Sequence, residues 1–362
     1  HKVALTGGGK VPLTGGGTLV VVGATGLVES QMAIPTSAYG CGGIIPVGLN
    51  AVLLACSEGA FRVDLQQAKI VAKTLFSDEI VRHIYDAAQQ ADGAVVAVGL
   101  RDLNNARLGT VVALDMQAKV LWTKAFGSLG GDALYGVAAF QKGTVVVGQT
   151  GQGTSSSIPN AADKVPAWVL RLSDTGAVIW QRKEVPASFG AAFTAVAVHG
   201  NKIVAAGPFV TGSRVVAYDE NGQELWKIGE TELKGYLARG HGTADGVVFL
   251  GSLDAVDSQI LRLGWSGAIF GLATFKHSLV TGVTWDDGLP VVHSKNGKLV
   301  RTDLFGHTSC VTSGACAGEK TCNDQDPCTA DSCTAANGCG HLAHLDGTFC
   351  AVGKTCKSGK CQ

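Results

Sequence analysis

Val215-Val-Ala-Tyr-Asp-Glu-Asn-Gly-Gln-Glu-Leu-Trp226 outlines one β-hairpin. A short apolar run leads into Asp219-Glu-Asn-Gly222, and a second run follows that closes on tryptophan. Glycine accepts the positive φ that tight hairpin turns demand, and aspartate and asparagine favour the same turns. The unit recurs in Val111 to Trp122, in Val169 to Trp180 around Asp174-Thr-Gly176, in Leu261 to Phe270 and, more weakly, in Phe61 to Val71. Ahead of the hairpins lies a second signal, a short apolar strand ending in a small residue. It appears as Val20 to Gly23, Leu53 to Cys56, Val96 to Gly99, Val145 to Gly148, Val204 to Gly207, Val248 to Gly251 and Val291 to Ser294. Alternating strands and turns precede the later copies, as in Tyr135 to Phe140 before Gln141-Lys-Gly143 and Phe193 to Val198 before His199-Gly-Asn201.

Four strands per unit, repeated at intervals near the ~40–50 residues of a propeller blade, make the chain an all-β propeller. Seven copies predict a seven-bladed propeller; the short Gly23-to-Cys56 interval leaves little room for a first blade and keeps six blades as the alternative. The strings Ala217 to Trp226, Ala113 to Trp122 and Leu170 to Trp180 resemble the blade repeat of quinoprotein-like (pyrroloquinoline quinone type) β-propellers, over roughly residues 43 to 310. The resemblance implies that Trp122, Trp180 and Trp226 dock between neighbouring blades. The matching positions of later units hold Gly271 and Cys310, where the likeness fades. Dehydrogenases of that family carry an adjacent cysteine pair, calcium-binding acidic residues and a catalytic aspartate. No Cys-Cys occurs here, so neither catalytic nor cofactor-binding residues are expected.

Composition narrows the function. Only 16% of the 362 residues are charged, and Lys plus Arg balances Asp plus Glu at 29 each, so no net field favours nucleic acid. No stretch approaches the ~18 uninterrupted apolar residues of a membrane helix, and the sequence opens on His1-Lys2 and glycine, which predicts a leader already removed. Of 11 cysteines, Cys310, Cys316, Cys322, Cys328, Cys333, Cys339, Cys350, Cys356 and Cys361 crowd into the end of the chain. In a segment with few large apolar residues this reads as a disulfide framework and an oxidising, extracellular compartment. No C-x2-C knuckle suggests zinc. Cys41 and Cys56 are close enough in sequence to bond, and the odd total leaves one cysteine free or paired to another chain. The expected organisation is a propeller over 1–308, including an N-terminal arm over 1–17, and a small disulfide-rich tail over 309–362.

Cys322-Asn-Asp-Gln-Asp-Pro-Cys328-Thr-Ala-Asp-Ser-Cys333 resembles a cysteine-rich repeat found at the ends of secreted bacterial surface proteins. Asn323, Asp324, Asp326 and Asp331 put four side-chain oxygens in a short loop, a candidate calcium site, although aspartates beside cysteines also form Asx turns. Gly23-Ala-Thr-Gly26 imitates a dinucleotide loop, but Glu29 occupies the third glycine position and Pro35 breaks any following helix. His83, His199, His241, His277, His293 and His307 are scattered, without metal-ligand spacing, and read as turn or strand-end residues.

Lys2 to Gly9 is repeated as Lys10 to Gly17, giving two strands where ring closure requires one. One strand is expected to complete the last blade. The other, with Val3, Leu5, Val11 and Leu13 as apolar anchors, is expected to add to the sheet edge of a second copy, with Pro12 holding its strand to an edge position. The expected function is therefore a secreted, non-catalytic structural or adhesive propeller that assembles with itself. The alternative is a monomeric propeller binding a glycan or peptide at one end of its central channel, and a quinoprotein-type dehydrogenase is the third reading.

Overall fold

The computed structural model describes residues 2–3, 11–15, 18–22, 28–36, 40–48, 50–77, 80–103, 106–127, 131–151, 165–186, 190–253, 257–275, 280–286, 289–294, 299–301, 329–334, 338–343, 349–351, 354–357 and 360–361. For 2–15 and beyond 272 the description is of the backbone course. Every regular element among the described residues is a β-strand.

The strands fall into consecutive antiparallel sheets, each built in chain order. The first contains β1 (Lys2–Val3), β2 (Val11–Gly15), β3 (Thr18–Val22) and β4 (Val28–Ala33), and the second β5 (Cys41–Pro46), β6 (Ala51–Cys56), β7 (Gly59–Asp64) and β8 (Lys69–Leu75). The third contains β9 (His83–Gln89), β10 (Val95–Leu103), β11 (Ala106–Leu114) and β12 (Val120–Phe126), and the fourth β13 (Ala133–Ala139), β14 (Gly143–Gln149), β15 (Ala167–Ser173) and β16 (Val178–Glu184). The fifth contains β17 (Ala195–His199), β18 (Lys202–Pro208), β19 (Ser213–Tyr218) and β20 (Glu224–Ile228), and the sixth β21 (Tyr236–Gly242), β22 (Gly246–Ser252), β23 (Ser258–Gly264) and β24 (Ile269–Phe275). Three strands form the seventh: β25 (Val280–Asp286), β26 (Leu289–Ser294) and β27 (Leu299–Arg301). In the tail, β28 (Thr329–Thr334) pairs with β29 (Gly338–Ala343), and β30 (Phe349–Ala351), β31 (Lys354–Lys357) and β32 (Lys360–Cys361) form another small sheet.

The hairpin read first in the sequence is β19–β20. Asp219 shapes its turn, its carboxylate accepting the backbone N–H of Asn221 at 2.9 Å and of Gln223 at 2.7 Å. Asp115 does the same for Gln117 and Lys119. The middle strands read as continuous apolar runs because both faces of each sheet are covered. In the fifth sheet Val196, Ile203, Ala205 and Val216 pack against Val145, Val147 and Val169 of the fourth. The alternating residues Ala195, Val204, Val215 and Ala217 pack against Leu237, Phe249 and Leu261 of the sixth. Small residues on one face receive the large ones of the next sheet, so the sheets nest at the ~10 Å spacing of stacked β-layers.

Inner strands of successive sheets lie side by side, β5 against β9, β9 against β13, β13 against β17 and β17 against β21, while β1 touches both β5 and β25. Six of the seven small-residue copies lie on the second strand of their sheet, but Val20 to Val22 of the first copy lie on β3, the third strand of the first. The second strand there is β2, which also ends in glycine. Measured from Gly15, the distance to Cys56 matches the ~40-residue period of a propeller, which removes the sequence-based reason for a missing first blade.

Two expectations for the N-terminus change. Neither repeated segment joins the last sheet; β1 and β2 pair with each other and β2 with β3, Val3 lying opposite Leu13 and Val11 opposite Val22. β2 is thus interior rather than an edge. Among the described residues the β1 ladder covers Leu13 and Thr14, and Pro12 lies opposite Val21 of β3.

Candidate functional site

The first residues of the inner strands gather at one end of the channel. In the third, fourth and sixth sheets a glycine of the second strand lies beside a register shift against the inner strand: Gly99 opposite Ile84, Gly148 opposite Leu134 and Gly251 opposite Leu237. A side chain on any of these glycines would run into the carbonyl of His83, Ala133 or Tyr236 respectively. The recurring small residue is therefore a close-approach requirement. The second sheet meets the same position differently, with Cys56 opposite Cys41 and the two joined as a disulfide.

Beside these bulges Ile84, Leu134 and Leu237 are buried in the sheets, and their neighbours His83, Tyr85, Tyr135 and Tyr236 stand at the starts of the inner strands, the mouth of the propeller channel. His83 stacks on Tyr85 with ring centroids 6.1 Å apart, and Tyr85 meets Tyr135 of β13 at 5.1 Å in a tilted arrangement. Tyr236 of β21 lies within electrostatic reach of Tyr135 and is 41% exposed. Arg82 and Arg107 flank the rings, both paired with the single carboxylate of Asp102, Arg107 through its Nε at 3.7 Å.

Burial raises the pKa of the Tyr135 phenol far above its ordinary value, and the neighbouring Tyr85 and Tyr236 phenols reinforce the rise against Arg107. Burial likewise raises Tyr85, against the pull of Arg107 and Arg82. For His83, burial first and then Arg82 and Arg107 lower the pKa, outweighing Glu58. This end thus gathers three tyrosine rings, an imidazole, two guanidiniums and the carboxylates of Asp102 and Glu58. Such a set can bind by ring faces, hydrogen bonds and the arginine donors.

Below the rings one residue crosses the channel. Arg239 of β21 sends one guanidinium nitrogen to Asp86 of β9 at 3.3 Å and donates from another to the Tyr85 carbonyl at 3.1 Å. The other oxygen of Asp86 accepts the Val137 N–H of β13 at 3.2 Å. Third and sixth sheets stacked in a flat row would lie about 30 Å apart at ~10 Å per layer, far beyond the reach of an arginine. The contact requires the row to curl around an axis.

A second repeated device holds the periphery. The indole N–H of Trp122 donates to the Asp174 carbonyl, that of Trp180 to the Glu220 carbonyl and that of Trp226 to the Trp265 carbonyl, each at 2.9 Å and each across to the next sheet. The tryptophans dock between neighbouring blades, as the repeat implied.

Of the candidates named from sequence, Cys41 and Cys56 are brought together. Asp331 lies on β28 opposite His341; Asn323, Asp324 and Asp326, with Cys310, Cys316, Cys322 and Cys328, lie outside the described residues. Cys333 faces Cys339 and Cys356 faces Cys361 across their ladders, and Cys350 is on β30. Val3, Val11 and Leu13 are on β1 and β2, and Leu5 is outside the described residues. His199 stacks on Trp265 at 5.5 Å, away from the mouth, and burial lowers the pKa of His241. Tyr85, Tyr135, Tyr236, Asp86 and Arg239 carried no sequence signal in isolation. Aligning the repeats on their terminal glycines would have placed the three tyrosines near one level of the inner strands.

The class defined by these sheets is the β-propeller. Among solved structures the chain is similar to BBS1N in complex with ARL6DN, in crystals soaked with mercury, at 11% identity and a TM-score of 0.54, covering 83% of this chain and 89% of that one. It is also similar to BamB from Moraxella catarrhalis, at 14% identity and a TM-score of 0.47, covering 82% of this chain and 93% of that one. Likeness at these identities is one of fold. No protein-family profile matches the sequence, and no curated protein does.

Proposed function

We propose that this chain is an extracellular, non-catalytic binding propeller whose ligand site is the channel mouth formed by His83, Tyr85, Tyr135 and Tyr236. The observation that carries the reading is the convergence of aromatic side chains from three separate sheets on one end of the channel. A disulfide within a blade supports an oxidising compartment. In this reading the seven sheets are seven blades, closed where β25 meets β1, and the Arg239–Asp86 bridge forms the channel floor. The test is a thermal-shift screen of saccharides and peptides on the wild type and on Tyr236→Ala in parallel. Compounds that raise the melting temperature of the wild type but not of the variant support the site; a screen in which every stabilising compound acts equally on both rejects it.

Self-assembly is the second reading, favoured by the outer strands. Val71 on β8, Leu121 on β12, Ile179 on β16 and Leu225 on β20 are 46% or more exposed, on edge strands whose outer backbone groups have no further strand in their sheet. Large apolar side chains on a free edge invite another sheet. Light scattering of the native protein tests it, and loss of oligomers on deleting residues 1–9 would assign the contact to the N-terminal arm with Val3 and Leu5. The tail extends the same proposal as a disulfide-held module, with Cys333–Cys339 and Cys356–Cys361 bonded across their ladders and calcium held by Asn323, Asp324, Asp326 and Asp331. Non-reducing peptide mapping and calcium calorimetry on the full chain test the two parts.

A further inference from the structure

The chemistry of the mouth narrows what it can hold. Ile84, Leu134 and Leu237, which adjoin Tyr85, Tyr135 and Tyr236 along the chain, are buried in the sheets and leave the rings as the neighbouring contact surface among the described residues. Among the described residues the groups at this end are tyrosine rings and arginine. Tyrosine rings offer rigid, amphipathic contact area that suits a ligand with alternating C–H faces and hydroxyls.

Two arginines stand by the rings with the carboxylate of Asp102, and Glu58 lies near His83. Asp102 serves both Arg82 and Arg107, and its 3.7 Å approach to the Arg107 Nε is longer than a hydrogen bond, so it cannot saturate the five donors of that guanidinium. The side chains of Arg82 and Arg107 are 48% and 40% exposed, and Arg107 stands near enough to act on His83, Tyr85 and Tyr135 together. Arginine's planar fork matches a carboxylate in bidentate geometry. The floor is already occupied, because Arg239 is committed to Asp86 and to the Tyr85 carbonyl.

We infer that the channel mouth binds a carboxylated saccharide, with sugar ring faces against Tyr85, Tyr135 and Tyr236 and the carboxylate held by Arg107 and Arg82. This rests on the reading of the mouth as the ligand site and adds the ligand class. The experiment is calorimetric titration of the full chain with tetragalacturonate, with neutral maltotetraose and with an aspartate-rich peptide, for the wild type and for Tyr236→Ala, Arg107→Gln and Arg82→Gln, each checked for an unchanged circular-dichroism spectrum. Expected are at least tenfold tighter binding of tetragalacturonate than of maltotetraose, a tenfold loss for both sugars in Tyr236→Ala, and loss of the preference for the acidic sugar in Arg107→Gln. If Arg107→Gln fails to fold, Arg82→Gln decides, with a smaller loss of the same preference. Equal binding of the two sugars, or tighter binding of the peptide, with sensitivity to Tyr236→Ala retained, overturns the ligand class and keeps the site. Binding indifferent to Tyr236→Ala, or no binding of any probe, overturns both.

Discussion

At Gly222 the backbone is left-handed, with φ +77°, and a Cβ would stand 2.8 Å from the Trp180 ring. Gly222→Ala meets two penalties, about 1 kcal/mol for the backbone conformation and about 1–3 kcal/mol for overpacking against the indole. A loss of about 2–4 kcal/mol in urea denaturation is expected. The chain contains its own control. Ala118 ends the equivalent turn of the third sheet with φ +67° and is fully buried, and the preceding sheet carries Ala72 in the register where others carry tryptophan. A methyl is accommodated where no indole arrives. Had Gly222→Ala been neutral, the tryptophan contact would not constrain that turn.

Protonation is also decided at single residues. His83 and His241 have pKa values lowered from the ordinary 6.5, both by burial first. The unfolded chain therefore binds more protons than the native one between the lowered values and 6.5. The stability these groups contribute is complete above pH 6.5 and is lost as pH falls through the folded values. Urea midpoints should decline from pH 7.5 to 5, and His241→Asn should flatten the decline. An unchanged slope in that variant would remove His241 as a source.

Between elements, the grip of one sheet on the next is concentrated at the outer hairpins. Trp180 donates to the Glu220 carbonyl, and Arg182 donates to the Gly222 carbonyl at 2.7 Å while lying over the Trp180 ring. Two side chains of β16 thus hold the β19–β20 turn at both ends. Trp180→Ala removes a large, partly buried ring and one hydrogen bond, and should cost about 3 kcal/mol. The loss should be local: hydrogen exchange at the amides of Asn221 and Gln223 should quicken more than exchange in β22. Uniform acceleration across the chain would mean that the turn is held by the sheet cores and not by the clamp.

For the molecule as a whole, the curl of the sheets depends on contacts between residues far apart in sequence, and Arg239 with Asp86 joins the sixth sheet to the third. Both side chains are partly exposed, 30% and 20%, so solvent screening limits the pair to about 1–2 kcal/mol. Arg239→Ala and Asp86→Asn should each destabilise by that order, and the double variant by clearly less than their sum. Additive effects in this cycle would deny the bridge a part in holding the third and sixth sheets together.

The β-propeller class, the hairpin turns and the tryptophan docks were legible in the sequence because they depend on short-range patterns: Asp and Gly at fixed turn positions, alternating apolar runs and tryptophan at a fixed offset. The Cys41–Cys56 bond was open to a guess for the same reason of nearness. The first sheet was misread because Val20 to Gly23 imitates a second strand, and only its pairing with β2 and β4 reveals it as the third. The mouth was invisible because its residues are separated by up to 154 positions and share no local pattern. Local hydrogen-bonding and burial preferences are written residue by residue, so the sequence by itself determined strands, turns and repeat. Which side chains meet around the axis depends on how many sheets intervene and how far the row curls, and that only the tertiary structure decided.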